Sequence, residues 1–216
     1  MALIQANQLN PGDILLKENT GTGTHKLIKF GQWLGAKSDG HHNIAHAAIV
    51  VSQPNVCESV KEGVRMYTIG GDHCVYHAFR YINRTDIAEL ASDVGHDIAM
   101  RRMSGNDPDA DYGEYATTKA TKSAFRKADM DPTRNRTGEV ADRVHSFLDD
   151  LENGIAKARR FMCSNFVVLC YSVASEALSN NPHYAIALDF ERTSPGELYS
   201  YCDSSVWWQN VGWLNG

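Results

Sequence analysis

The chain has 216 residues, 43% of them hydrophobic, which suffices for one packed domain and argues against wholesale disorder. A net charge of −5 argues against a nucleic-acid binder driven by phosphate neutralisation, and leaves only a local basic patch as a route to one. Five cysteines, an odd number with no Cys-x-x-Cys pair, argue against a disulfide framework and a Cys-rich zinc site, and point to reduced thiols in a bacterial-type cytoplasm.

Met1-Ala2-Leu3-Ile4-Gln5-Ala6-Asn7 has no basic n-region and no long apolar stretch, so no signal peptide is expected. Leu9-Asn10-Pro11-Gly12-Asp13 reads as a turn, and Ile14-Leu15-Leu16 as a short buried strand. Gly21 to Thr24 reads as a flexible loop, His25 to Leu34 as a short helix ending near Gly35, and Lys37 to Asn43 as a polar loop. The continuous apolar run His46-Ala47-Ala48-Ile49-Val50-Val51 predicts a strand buried on both faces. Val56 to Val60, Val64 to Ile69 and Cys74 to Tyr81 predict three more, arranged as an antiparallel meander or barrel.

Thr85 is a candidate N-cap for a helix marked by Ile87, Leu90, Ala91, Val94, Ile98 and Met103. Ser104 to Asp111 is a polar loop, Tyr112 to Ala128 a helix with a thin apolar face, and Asp129 to Gly138 turn-rich. Ala141, Val144, Leu148, Leu151 and Ile155 step by three and four along an amphipathic helix. A further helix begins at Cys163 and runs to about Leu178. Its apolar-rich part, Phe166 to Ala177, is too short to span a bilayer. Thr193-Ser194-Pro195-Gly196-Glu197-Leu198 is a turn before a short helix, and the tail with Trp207, Trp208 and Trp213 should pack on the core or an edge, with substrate binding as the alternative. The predicted class is α+β: one domain over 1–216, with a helical insertion or cap at 85–160.

Cys163 sits where the helix begins, in Phe161-Met162-Cys163-Ser164-Asn165-Phe166. The positive end of a helix dipole favours a thiolate there, and the thiolate is the nucleophile. His46 opens a strand upstream and would take and return the proton. Alternation puts Val56, Glu58 and Val60 on one face of the next strand, where a buried carboxylate needs a partner and could orient His46. Each residue has an ordinary alternative: free cysteines are commonly buried and inert, a histidine at a strand start is often structural, and an acidic edge residue is often solvated. The backbone N–H of Cys163 is the only oxyanion donor the sequence assigns.

The order Leu9-Asn10-Pro11-Gly12-Asp13-Ile14-Leu15-Leu16, His46-Ala47-Ala48-Ile49-Val50-Val51 and Cys57-Glu58-Ser59, then Cys163-Ser164-Asn165-Phe166-Val167, resembles the NlpC-type cell-wall endopeptidases. In that family the Cys helix comes first; here it comes last, as in the permuted YaeF/YiiX-type papain-like proteins and the lecithin:retinol acyltransferase group. Glu58 matches the acidic third residue of the YaeF/YiiX type, and Thr193 to Leu198 resembles a segment that follows the Cys helix there. The resemblance covers Leu9 to Tyr81 and Phe161 to Leu198 and leaves Thr85 to Arg160 unaccounted for. It implies a permuted papain-like fold with Cys163, His46 and Glu58 as catalytic residues and no cofactor.

Weaker motifs carry less. His42 and His46 have a zinc-like spacing, but His46 runs into a strand and no third ligand is evident. Asp107 to Gly113 has its glycine one place late for a calcium loop and Thr118 at the twelfth position. Gly21 to Lys26 lacks P-loop spacing. No metal is expected. The leading expectation is a cysteine hydrolase of amide bonds, acting on peptide stems of the bacterial cell wall. Such an enzyme without a signal peptide would suit an interbacterial toxin effector delivered by type VI secretion to a target-cell periplasm, with an immunity protein as partner. Lipid acyl transfer or ester hydrolysis on the same scaffold, and a non-catalytic binding module using Ser104 to Gly138, are the alternatives. No nucleic-acid partner and no integral membrane segment are expected.

Overall fold

A computed structural model describes residues 2–18, 43–60, 63–70, 73–103, 146, 162–178, 184–190 and 193–216. The predicted elements at Gly21 to Thr24, His25 to Leu34, Ser104 to Asp111, Tyr112 to Ala128, Asp129 to Gly138 and most of Ala141 to Ile155 lie outside these residues, as do His42 and the motif Asp107 to Gly113.

The described chain is α+β. Six strands form an open antiparallel sheet: β1 (Ile14–Glu18), β2 (Ile44–Ser52), β3 (Asn55–Val60), β4 (Gly63–Thr68), β5 (Val75–Tyr81) and β6 (Trp208–Asn215), in the order β4-β3-β2-β1-β5-β6. Among the described residues three α-helices of more than one turn accompany it: α1 (Thr85–Met103), α2 (Cys163–Leu178) and α3 (Pro195–Ser204). None of the described helices is long and apolar enough to cross a membrane.

Two features depart from the sequence expectation. The meander is confined to β2, β3 and β4; β5 crosses back to pair with the free edge of β1. The sheet is also not closed into a barrel, because β4 and β6 stand at its two edges. The backbone reason is simple: β1 is buried, and its second row of N–H and C=O groups must be paired. β5 meets that need, and the Trp-rich tail then pairs with β5 as β6. A smaller difference lies at α1. Thr85 is its first residue and not its cap, since Ala88 N–H donates to the Arg84 carbonyl.

Alternation along the central strands sorts the core. Ile14, Leu16, Ala47, Ile49 and Cys57 face a cluster that includes Ala91 of α1 and Phe166, Val167 and Cys170 of α2. Leu15, Ala48, Val50, Val56 and Tyr76 form a second cluster with Ile4 and Leu9. Both faces are covered, so β2 reads as an unbroken apolar run from Ala47 to Val51.

The turn at Pro11-Gly12-Asp13 ties these layers together. Gly12 has φ +86°, and a Cβ there would lie 2.4 Å from the Ala88 carbonyl oxygen of α1. Its N–H donates to Val50 O (2.8 Å), its carbonyl accepts from the Tyr171 hydroxyl of α2, and Asp13 O accepts from Val50 N (2.9 Å). One glycine thus contacts α1, β2 and α2, which explains the residue by close approach.

Candidate active site

The start of α2 is built by its own sequence. Phe166 N–H donates to Met162 O (2.9 Å), which makes Met162 the capping position and Cys163 the first helical residue. Asn165 Oδ1 reaches back to accept from Met162 N–H (3.3 Å), as the third residue of a capping box does. Ser164 Oγ (2.6 Å) and Asn165 Nδ2 (3.3 Å) both donate to the Thr193 carbonyl. Thr193 is itself fastened to Asp189 O through its N–H (3.0 Å) and hydroxyl (2.6 Å). Ser194 then caps α3: its hydroxyl accepts from Glu197 N–H (3.3 Å), and the Glu197 carboxylate accepts from Ser194 N–H (2.8 Å). The Thr193 to Leu198 segment therefore has a definite job, which is to hold the helix end that carries Cys163.

Cys163 is buried, and its sulfur lies close enough to the ring of His46 to act on it electrostatically. Over a hundred positions separate the two in sequence. His46 lies on β2 with its ring Nε2 2.6 Å from Glu58 Oε2. With Nε2 committed to the carboxylate, Nδ1 is the ring nitrogen available to sulfur. The pairing Ala48↔Glu58 makes Glu58 a diagonal neighbour of His46 across the β2–β3 ladder, within the reach of such pairs. The structure therefore brings Cys163, His46 and Glu58 together.

Electrostatics at this cluster are strong. Burial opposes a charged His46 ring, but the neighbouring Cys163 sulfur and the Glu58 carboxylate outweigh it and push the imidazole up to about 10. Burial likewise opposes ionised Glu58, yet hydrogen bonds and charge from His46 and Arg65 win and lower it to about 2. An imidazolium beside a cysteine favours the thiolate. The arrangement can therefore present a nucleophilic sulfur, a proton on the adjacent ring and an ionised carboxylate that fixes the ring's tautomer. The helix-start N–H of Cys163 supplies a donor of the kind that stabilises an oxyanion.

The other thiols are free and buried as well. Cys57 is pushed up to about 12 by burial and the Glu58 charge, and burial drives Cys170 and Cys202 well above the usual thiol range. Among the described residues no group of three His, Cys, Asp or Glu is placed to hold a metal ion. No family model, curated protein or solved structure matches this chain.

Arg65 is the site residue that the sequence analysis missed. On β4 it stands directly opposite Glu58, and its Nε (2.8 Å) and Nη2 (2.5 Å) both donate to Glu58 Oε1. Its guanidinium also lies over the Tyr67 ring, 5.6 Å from the centroid. A signal existed. The hairpin pairs Val60 with Gly63, and counting outward from that turn puts residue 65 opposite residue 58. Once Glu58 is judged buried, an arginine at its cross-strand position is the natural countercharge.

Glu58 supplies a graded test. Glu58→Gln should keep the fold and slow any hydrolysis by about 10- to 100-fold, since the amide still accepts from the ring but no longer stabilises its charge. His46 would lose a countercharge, so the alkaline limit of activity should move to lower pH. A rate–pH profile checks both.

Proposed function

We propose that this chain is a cysteine hydrolase of amide bonds with a permuted papain-like architecture of the NlpC type, close in arrangement to the YaeF/YiiX proteins. The observation that carries the reading is the contact of Cys163 with a His46 ring whose other nitrogen is held by Glu58. A helix-borne sulfur, a strand-borne imidazole and a carboxylate on the neighbouring strand are the parts such a reaction requires.

The chemistry follows. The Cys163 thiolate adds to the acyl carbon, and the tetrahedral oxyanion takes the Cys163 backbone N–H as donor. The C–N bond breaks as the His46 imidazolium gives its proton to the leaving amine, and a thioester remains. Neutral His46 then takes a proton from water, whose oxygen adds to the thioester carbonyl. The C–S bond breaks and the thiolate–imidazolium pair is restored. Glu58 keeps Nε2 protonated throughout and leaves Nδ1 to exchange the proton.

The substrate class we assign is the peptide stem of bacterial cell wall, on the strength of the NlpC-type residue pattern. The setting that suits it is an interbacterial effector delivered by type VI secretion and held in check by an immunity protein. Purified wall fragments incubated with the protein and read by mass spectrometry test the assignment. Cleavage at a stem amide that vanishes in Cys163→Ala supports it. Intact fragments, with wild type and Cys163→Ala alike in target cells, sink it.

A further inference from the structure

The carboxylate of Glu58 divides its two oxygens between two partners. Oε2 faces His46 Nε2 at 2.6 Å, and Oε1 takes both Nε and Nη2 of Arg65 at 2.8 and 2.5 Å. The carboxylate is almost wholly buried, whereas the Arg65 side chain is 56% exposed. Two donors from one rigid guanidinium anchor Oε1 and so leave Oε2 as the oxygen that faces His46. A carboxylate with only His46 as partner would be free to turn about its terminal torsion, which is a soft one.

We propose that Arg65 is a positioning residue of the candidate hydrolase, a fourth member of the relay that holds Glu58 ionised and aims its free oxygen at His46. The proposal rests on the hydrolase reading of Cys163 and His46 and adds a residue to it. Arg65 does not touch the reacting sulfur; its effect travels through Glu58 to the ring and from the ring to Cys163. The groups acting on Glu58 are His46 from β2 and Arg65 from β4, with Cys163 of α2 acting through His46. The Cys57 thiol beside Glu58 on β3 is held neutral by burial and by the Glu58 charge. When acid neutralises Glu58, His46 loses the ionised carboxylate that fixes its ring against Cys163. Arg65 keeps that event at low pH, because an adjacent cation favours the ionised carboxylate.

The test needs no substrate. Iodoacetamide alkylation of Cys163, read by mass spectrometry across pH, reports the reactive sulfur directly. In Arg65→Met the pH of half-maximal reactivity on the acid side should rise by about one unit relative to wild type. Arg65→Lys keeps the charge but loses one of the two donors to Oε1, and should recover part of the shift. In a Glu58→Gln background, Arg65→Met should move the profile no further, and this double variant also removes the buried carboxylate that would otherwise lack its partner. An arginine that merely braces the β3–β4 hairpin would lower the melting temperature and leave the profile where it was. Superimposable profiles for wild type and Arg65→Met overturn the proposal while the hydrolase reading stands. A wild-type Cys163 no more reactive at pH 6 than the other four cysteines overturns both.

Discussion

His46→Ala is expected to cut the alkylation of Cys163 at pH 6 by roughly a hundredfold, because an ordinary thiol near pKa 8.5 is under one part in a hundred ionised there. If the chain is the amide hydrolase proposed above, hydrolysis should fall by about 10⁴-fold or more, since the same substitution removes both the activating cation and the proton donor for the leaving amine. On the proposed mechanism Cys163 and His46 act as one unit, so the double variant should be no worse than either single one. Retained alkylation at pH 6 in His46→Ala would show that another group activates the sulfur. The pH dependence of folding gives an independent reading. The His46 ring is raised above its unfolded value, so its contribution to stability is complete below about pH 6.5 and is lost as pH climbs towards about 10. Glu58 is lowered, so its contribution is complete above about pH 4.5 and is lost as pH falls towards about 2. The site therefore stabilises the fold most between those windows, and His46→Ala should flatten the alkaline arm of a melting-temperature profile.

What the sequence revealed, and what it hid, follows from how far each signal travels along the chain. The run Ala47 to Val50 announces a strand covered on both faces, and all four residues are fully buried between the two core clusters. Cys163 at the head of an apolar helix, and Glu58 between valines, are local patterns too. Their meeting with His46 is not local, and it was legible only through the resemblance of the element order to the papain-like proteins. The pairing of β5 with β1 had no such cue, since Val75 to Tyr81 carries the same β-forming pattern whichever neighbour it takes. The tail was opaque for a related reason. Trp208 is buried, its ring tilted against Tyr81 at 5.2 Å and edge-on to Tyr171 at 5.1 Å, and its indole N–H donates to Ala185 O (3.1 Å). Trp207 beside it is half-exposed. Three tryptophans in one short tail read as generic packing until the strand register assigns each one a face. Arg65 was overlooked because an arginine on a short strand resembles solvated edge charge, and only its partner gives it meaning.

Asp13→Ala should be the most damaging change to stability outside the site, at about 3 kcal/mol, or a melting temperature lower by about 6–12 °C. Asp13 is 1% exposed and accepts from Arg80 Nε (2.8 Å) and Nη2 (2.7 Å), as well as from the backbone N–H of Asn10 (2.7 Å). Its loss removes the countercharge of the Arg80 guanidinium, whose side chain is 27% exposed, and frees one end of the Pro11-Gly12 turn. Yet burial outweighs Arg80 and raises Asp13 above the usual carboxylate range, so the ion pair is costly to keep as well as costly to break. A double variant, Asp13→Leu with Arg80→Leu, should therefore lose less stability than the two single changes summed, and a thermodynamic cycle measures the difference. What the apolar pair would not restore is position. Arg80 Nη2 also donates to Gln8 O (2.9 Å), and the turn it pins presents the Gly12 carbonyl to Tyr171 on the helix that carries Cys163. The double variant should accordingly melt closer to wild type than Asp13→Ala does, while its Cys163 alkylation at pH 6 stays below wild type. Full recovery of both quantities would reduce the Asp13–Arg80 pair to a matter of folding alone.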